Sequence, residues 1–152
     1  MRKDLREVVP VDKEQIKKEN EEKKKYLRGY KKHGRKIELI NAKIEELQRL
    51  KRNPSVRNDG MPRGSNQSDL SDYAAQLDTL EDELYNEGVA EVKIYKDITC
   101  RIDELEDEDE REVLYYRYIK DKEWWEIAKT MGFSESWIYE LHGRALKNLK
   151  IS

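Results

Sequence analysis

Leu70, Leu77, Leu84, Ile98 and Leu105 recur at multiples of seven residues. Tyr73, Leu80 and Ile94 mark a second seam, continued by Tyr95 and Ile102. A stripe repeating every 3.5 residues runs along one side of a helix and packs on a left-handed partner helix. Strand side chains alternate with a period of two, and no apolar/polar alternation of strand length occurs anywhere in the chain. The expectation is an all-α protein, with a long helical hairpin or coiled coil in the N-terminal part. Composition agrees, because the 152 residues are 42% charged and only 36% hydrophobic. That is too little apolar surface to cover both faces of a sheet, whereas amphipathic helices need one narrow stripe each.

Three segments follow from the pattern. Residues 1–34 are nearly all charged beyond residue 12, with Ile16, Tyr26, Leu27 and Tyr30 as apolar content, and read as a helical arm weakened by Gly29 and Gly34. In residues 35–105, Ile37, Ile40, Ile44, Leu47 and Leu50 form one helix stripe that ends before Asn53-Pro54. Residues 53–68 hold two prolines and two glycines and form a loop, after which Asp69 or Ser71 caps the next helix. A bend or break is expected near Gly88, where Glu87 and Glu91 disturb the stripe. Two partners satisfy that stripe, the 35–52 helix folded back as an antiparallel hairpin or the same helix in a second subunit. Asp103–Glu110 then holds seven acidic residues among eight, a charged hinge suited to the positive end of a following helix. Residues 106–152 form the third segment, a small aromatic-rich domain.

Net charge is −2, but it is unevenly laid out. Residues 1–69 carry 20 Lys/Arg against 12 Asp/Glu, residues 70–110 carry 3 against 15, and residues 111–152 carry 8 against 6. Interleaved Glu19, Glu21 and Glu22 make the Lys-rich 17–36 stretch a solvated helix face before a nucleic-acid arm. The single Cys100 forms no internal disulfide and is expected to be a small buried residue, and His142 a surface residue. His33 and His142 are too far apart in sequence for a Cys/His metal cluster. No phosphate loop or nucleophile elbow occurs, so neither catalysis nor a cofactor is expected. The chain is charged from Arg2 onward and has no span-length apolar run, which reads as cytoplasmic, with no membrane partner.

The C-terminal segment carries the most specific pattern. Residues 108–119 form a first helix and Lys120–Glu123 a polar turn. A second helix follows over Trp124–Met131, with one of Trp124 and Trp125 expected in the core. Gly132 ends it, Ser134 caps a third helix, and Ile138 and Leu141 anchor that helix. A short helix, a glycine turn and a second helix read as helix-turn-helix, whose second helix enters the major groove of DNA.

Asp109-Glu110-Arg111-Glu112-Val113-Leu114, Glu126-Ile127-Ala128, Gly132-Phe133-Ser134 and Arg144-Ala145-Leu146 resemble region 4 of bacterial sigma-70-type factors. With the helical N-terminal half and the Gly60–Ser65 loop before Ser68-Asp69, the whole chain resembles prophage transcriptional regulators of the ArpU/RinA type. These resemblances imply double-stranded DNA as partner, activation of late phage genes, and RNA polymerase as a further partner. The residues expected to meet DNA are Ser134, Glu135, Ser136, Trp137, Tyr139, Glu140, Arg144 and Lys147. Against this, Trp137 and Tyr139 also suit the small core, and Ser134 needs no role beyond its cap. Glu135 and Glu140 make the helix less basic than region 4 usually is. Weak DNA binding by the isolated domain is therefore expected, helped by a homodimer, the basic 1–69 block or polymerase. The alternatives are a polymerase-binding sigma-like protein with little DNA contact, and a phage small-terminase-like packaging subunit.

Overall fold

A computed structural model describes residues 4–52 and 66–151, with side chains at 13–52 and 69–151. All the regular elements among the described residues are helices, with no strand among them. In order they form α1 (Asp4–Leu27), α2 (Gly29–Arg52), α3 (Asn66–Asp103), α4 (Glu108–Leu114), a π-helical turn (Tyr115–Ile119), α5 (Trp124–Met131) and α6 (Glu135–Asn148). The all-α expectation is met. Of the loop expected at 53–68, residues 53–65 lie outside the described residues, as does the Gly60–Ser65 stretch.

The chain groups into two compact units, one of Met1–Lys32 with Lys93–Ser152 and one of His33–Val92. These are not the three consecutive segments read from the sequence. Leu27 is the reason for the first difference. It is the last residue of α1, it is wholly buried, and it belongs to one apolar cluster with Ile98, Val113, Leu114, Ile127 and Ile138. The charged arm therefore supplies part of the C-terminal core. Lys23 of α1 adds a polar tie, its ammonium donating to the Leu146 carbonyl at 2.7 Å and to that of Lys147 at 3.4 Å. A cation at the free carbonyls of a helix end favours that end both by hydrogen bonding and through the helix dipole. Arg101 donates in the same region, to the Lys150 carbonyl at 3.2 Å.

Helix starts and breaks also differ from expectation. Helical hydrogen bonds from Arg28 to Lys24 and from Lys32 to Arg28 bracket the α1–α2 junction, so α2 begins at Gly29 and passes through Gly34. α3 begins at Asn66, which places Asp69 and Ser71 inside it and not at its cap, and it runs unbroken through Gly88. An interior glycine costs a helix about 1 kcal/mol, too little to interrupt one held by packing on both sides of it.

In the 33–92 unit, α2 and α3 pair antiparallel. His33 Nε2 meets the Glu87 carboxylate at 2.7 Å, and the Lys51 ammonium lies 4.6 Å from the centre of the Tyr73 ring. Over residues 73–84 the partner of the stripe is thus the chain's own α2, whereas Ile98, Ile102 and Leu105 belong to the core of the other unit. Ile40 is buried, and Ile37, Ile44, Leu47, Tyr73, Leu77, Leu80 and Leu84 are half-buried, whereas Leu70 stands exposed. Cys100 is exposed as well. At 100° per residue it lies across α3 from Ile98 and Ile102, the two neighbours that turn into the core.

The acidic run does what its position suggests. The Asp107 carboxylate accepts the Glu110 N–H at 3.1 Å and caps α4, with Glu108, Asp109 and Glu110 in the first turn. Glu110 is buried, and both its oxygens accept from the Asn148 side-chain amide at 3.0 and 3.1 Å.

Truncating Leu27 to alanine is expected to lower stability by about 2–5 kcal/mol in urea denaturation, the cost of a buried cavity. A helical arm outside the core would leave the transition within about 0.5 kcal/mol of wild type.

Candidate functional site

The C-terminal helices are placed by local chemistry first. Gly132 follows α5 in the left-handed conformation (φ 75°, ψ 31°), and its N–H and that of Phe133 both donate to the Ala128 carbonyl, at 2.9 and 3.0 Å. Only glycine adopts this conformation without a steric cost from Cβ. The chain then turns extended at Ser134, whose hydroxyl accepts the Trp137 N–H at 3.1 Å and starts α6. At the other end of α5, the Glu126 carboxylate accepts the Glu123 N–H at 3.0 Å. Residues 124–148 are thus two helices joined by a turn and not one continuous rod.

Packing then orients α6. Ile138, Leu141, Ala145, Leu146 and Leu149 are buried along one side. His142 is buried with them, which corrects the surface position expected for it. Its Nε2 shares a 2.7 Å hydrogen bond with the Tyr118 hydroxyl, the two rings stack, and the Trp124 ring meets the imidazole edge-on. Burial, seconded by the positive charges of Lys24, Arg117 and Arg28, pushes the His142 pKa down to about 4. Burial likewise pushes the Tyr118 phenol up to about 12. Both groups are neutral at pH 7.

The outer face of α6 is what remains free. Ser134, Glu135, Ser136, Tyr139, Glu140, Arg144 and Lys147 are exposed, and Trp137 is half-buried. The structure brings three of these together. The Arg144 guanidinium lies 4.9 Å from the centre of the Trp137 ring and reaches Glu140 at 3.6 Å. Phe133 packs edge-on against the same Trp137 ring. Tyr139 sits apart from that group, its ring 5.1 Å from Trp124. Trp124 is half-buried against the core and Trp125 is 56% exposed, the split expected of adjacent tryptophans.

Several supports of this arrangement carry no signal in the sequence. Arg117 lies over the Trp124 ring at 4.3 Å and donates to the Lys122 carbonyl at 3.0 Å. Its placement depends on the π-helical turn, closed by the Lys120 N–H bonding the Tyr115 carbonyl at 3.1 Å, for which no sequence signal exists. Asp121, with φ 54°, then takes the left-handed conformation, and its carboxylate pairs with Lys31 at 2.9 Å. No group of three or more His, Cys, Asp or Glu suited to a metal ion occurs among the described residues. No helix among them is long and apolar enough to cross a membrane.

These features define an all-α protein in which the outer face of α6, the second helix of a helix–turn–helix arrangement, is exposed to solvent. Residues 50–150 match the family described as "Protein of unknown function (DUF1492)", and the chain belongs to that family. No curated protein and no solved structure matches it.

Two measurements probe the site's construction. The Gly132→Ala variant is expected to lose about 1–2 kcal/mol, because a Cβ there meets no neighbour and the cost is that of the left-handed backbone alone. For His142, the folded pKa near 4 lies below the ordinary 6.5, so the unfolded chain binds more protons between those values and stability falls as pH drops through that window. Between pH 7 and pH 5 wild type is expected to lose about 2 kcal/mol more than His142→Gln in urea denaturation. Equal losses would show that the imidazole is protonated in the folded state.

Proposed function

We propose that this chain is a sequence-specific DNA-binding transcription regulator, phage-encoded and acting on late genes, with α6 as the helix presented to the major groove. The observation that carries the reading is the free outer face of α6 beginning at the Ser134 cap. A recognition helix needs its N-terminal turns accessible and its orientation fixed from behind, here by the Gly132 turn and the buried row from Ile138 to Leu149. The resemblance of residues 109–149 to sigma region 4, and of the longer chain to ArpU/RinA-type regulators, supplies promoter duplex as the target.

Charge sets the manner of binding. Glu135 and Glu140 offset Arg144 and Lys147 on the α6 face. Phosphate attraction scales with the cations engaged, so this face adds little affinity that is independent of sequence. Base edges and shape then decide where it sits, with Ser136, Tyr139 and Arg144 the side chains best placed to reach them.

A second reading, a sigma-like protein that binds RNA polymerase and touches DNA little, is favoured by the exposed Trp125 and by the same two carboxylates. Fluorescence anisotropy on duplexes from promoters in its own genomic neighbourhood, at low and moderate salt, separates the two. Under the DNA reading, one duplex is preferred and Ser136→Ala, Tyr139→Ala and Arg144→Ala each weaken that preference, the last by roughly tenfold. No preference among duplexes, together with polymerase co-purification that is lost on Trp125→Ala, would replace it with the second reading.

A further inference from the structure

Tyr85, Val89 and Val92 follow one another along α3 at spacings of four and three, so they share one face. All three are exposed, at 73%, 42% and 52%. Scattered apolar side chains on a surface are ordinary, but a contiguous row on one helix face is the mark of an interaction surface. The side of α3 turned to α2 is a different one, carrying the half-buried Leu77, Leu80 and Leu84.

What flanks the row identifies its occupant. Toward the start of α3 the same face continues with exposed Asp78 and Asp82, and toward its end with exposed Lys96. The order along the face is acid, apolar, base. Such a face complements itself when a second copy lies against it in the opposite direction, as a two-fold interface requires. With the axis at Val89, that residue meets Val89 of the second copy. Asp82 stands level with Lys96 of the second copy, and the Tyr85 ring stands level with Lys93, within reach of a cation–π contact. A parallel pairing would set Asp82 against Asp82 and Lys96 against Lys96, which repel. From Asp82 to Lys96 the matched stretch is about 21 Å long, four helical turns.

We propose that this face of α3 is a homodimer surface, occupied by the same face of a second copy of the chain, antiparallel about Val89. The pairing is a property of α3 and does not rest on the DNA reading. One helix face per copy buries a small interface, so the dimer forms at micromolar and higher concentration.

Sedimentation of the full chain across that range, at low salt, tests it. The expected mass is twice the 18.2 kDa of one chain, with Val89→Asp returning the single-chain mass. The Val89→Asp side chain replaces an exposed group, and unchanged helical circular dichroism checks that the fold persists. Charge reversal tests the register without touching the apolar row. Lys96→Asp alone is expected to weaken the dimer by roughly tenfold or more, and Asp82→Lys added to it to restore the dimer. Wild type remaining at 18.2 kDa, a dimer indifferent to Val89→Asp, or a double reversal that fails to restore pairing would each overturn the proposal.

Discussion

With 42% of its residues charged, this chain can bury one narrow stripe per helix and little more, so its short C-terminal helices depend on packing for their stability. α5 has eight residues and α6 fourteen, lengths at which an isolated helix is marginal in water. Their positions come from packing against residues far away in sequence. Leu27 from α1 and Ile98 and Ile102 from α3 enter the same apolar cluster as Val113, Ile127 and Ile138. Lys23 and Arg101 then close the far end by donating to the carbonyls of Leu146 and Lys150. The thin apolar content thus makes the C-terminal helices depend on α1 and the end of α3, and the α6 face inherits its orientation from them.

A polar knot inside that core adds specificity to the orientation. Tyr118 and His142 satisfy one another at 2.7 Å, and Trp124 covers the imidazole while its own ring is flanked by Arg117 and Tyr139. Apolar packing is non-directional and tolerates small rotations of α6 better than a hydrogen bond does. A buried imidazole bonded to a buried phenol does not, since rotation would leave both without a partner. The pair therefore fixes the angular setting of α6, and with it the direction in which Ser136, Glu140 and Arg144 face.

Local signals in the sequence were the legible ones. Gly132 and Ser134 act through their own backbone and nearest neighbours, so the turn and the cap can be read from residue type and spacing. The α3 stripe is also periodic within one segment, and its intrachain partner was one of two arrangements open at that level. Leu27 was not legible, because a single leucine among lysines and glutamates carries no periodicity and its burial depends on helices more than 70 positions away. The same holds for His142, whose burial depends on Tyr118 and Trp124 arriving on two other elements. The disturbed stripe at Glu87 and Glu91 predicts a bend or break near Gly88, and Gly34 predicts a weakened helix end, but packing along both helices outweighs a glycine cost of about 1 kcal/mol. Cys100 was read from the habits of its residue type, whereas the helix phase set by Ile98 and Ile102 turns it outward.

Charge distribution links these points to interaction. The exposed α6 face balances two carboxylates against two cations, so long-range attraction does not draw it toward a polyanion or toward an acidic protein surface. A face of this kind discriminates by short-range fit, which makes rigid placement more important than net charge. The knot at His142 and the cap at Ser134 supply that placement. Near-neutrality also keeps single-copy affinity for a polyanion low, since few counterions are released on contact. Binding strength then has to come from multiplicity, because two linked faces raise the effective concentration of the second contact without any new chemistry in the first. The homodimer proposed on the α3 row would supply such a link, on a helix surface remote in sequence from α6.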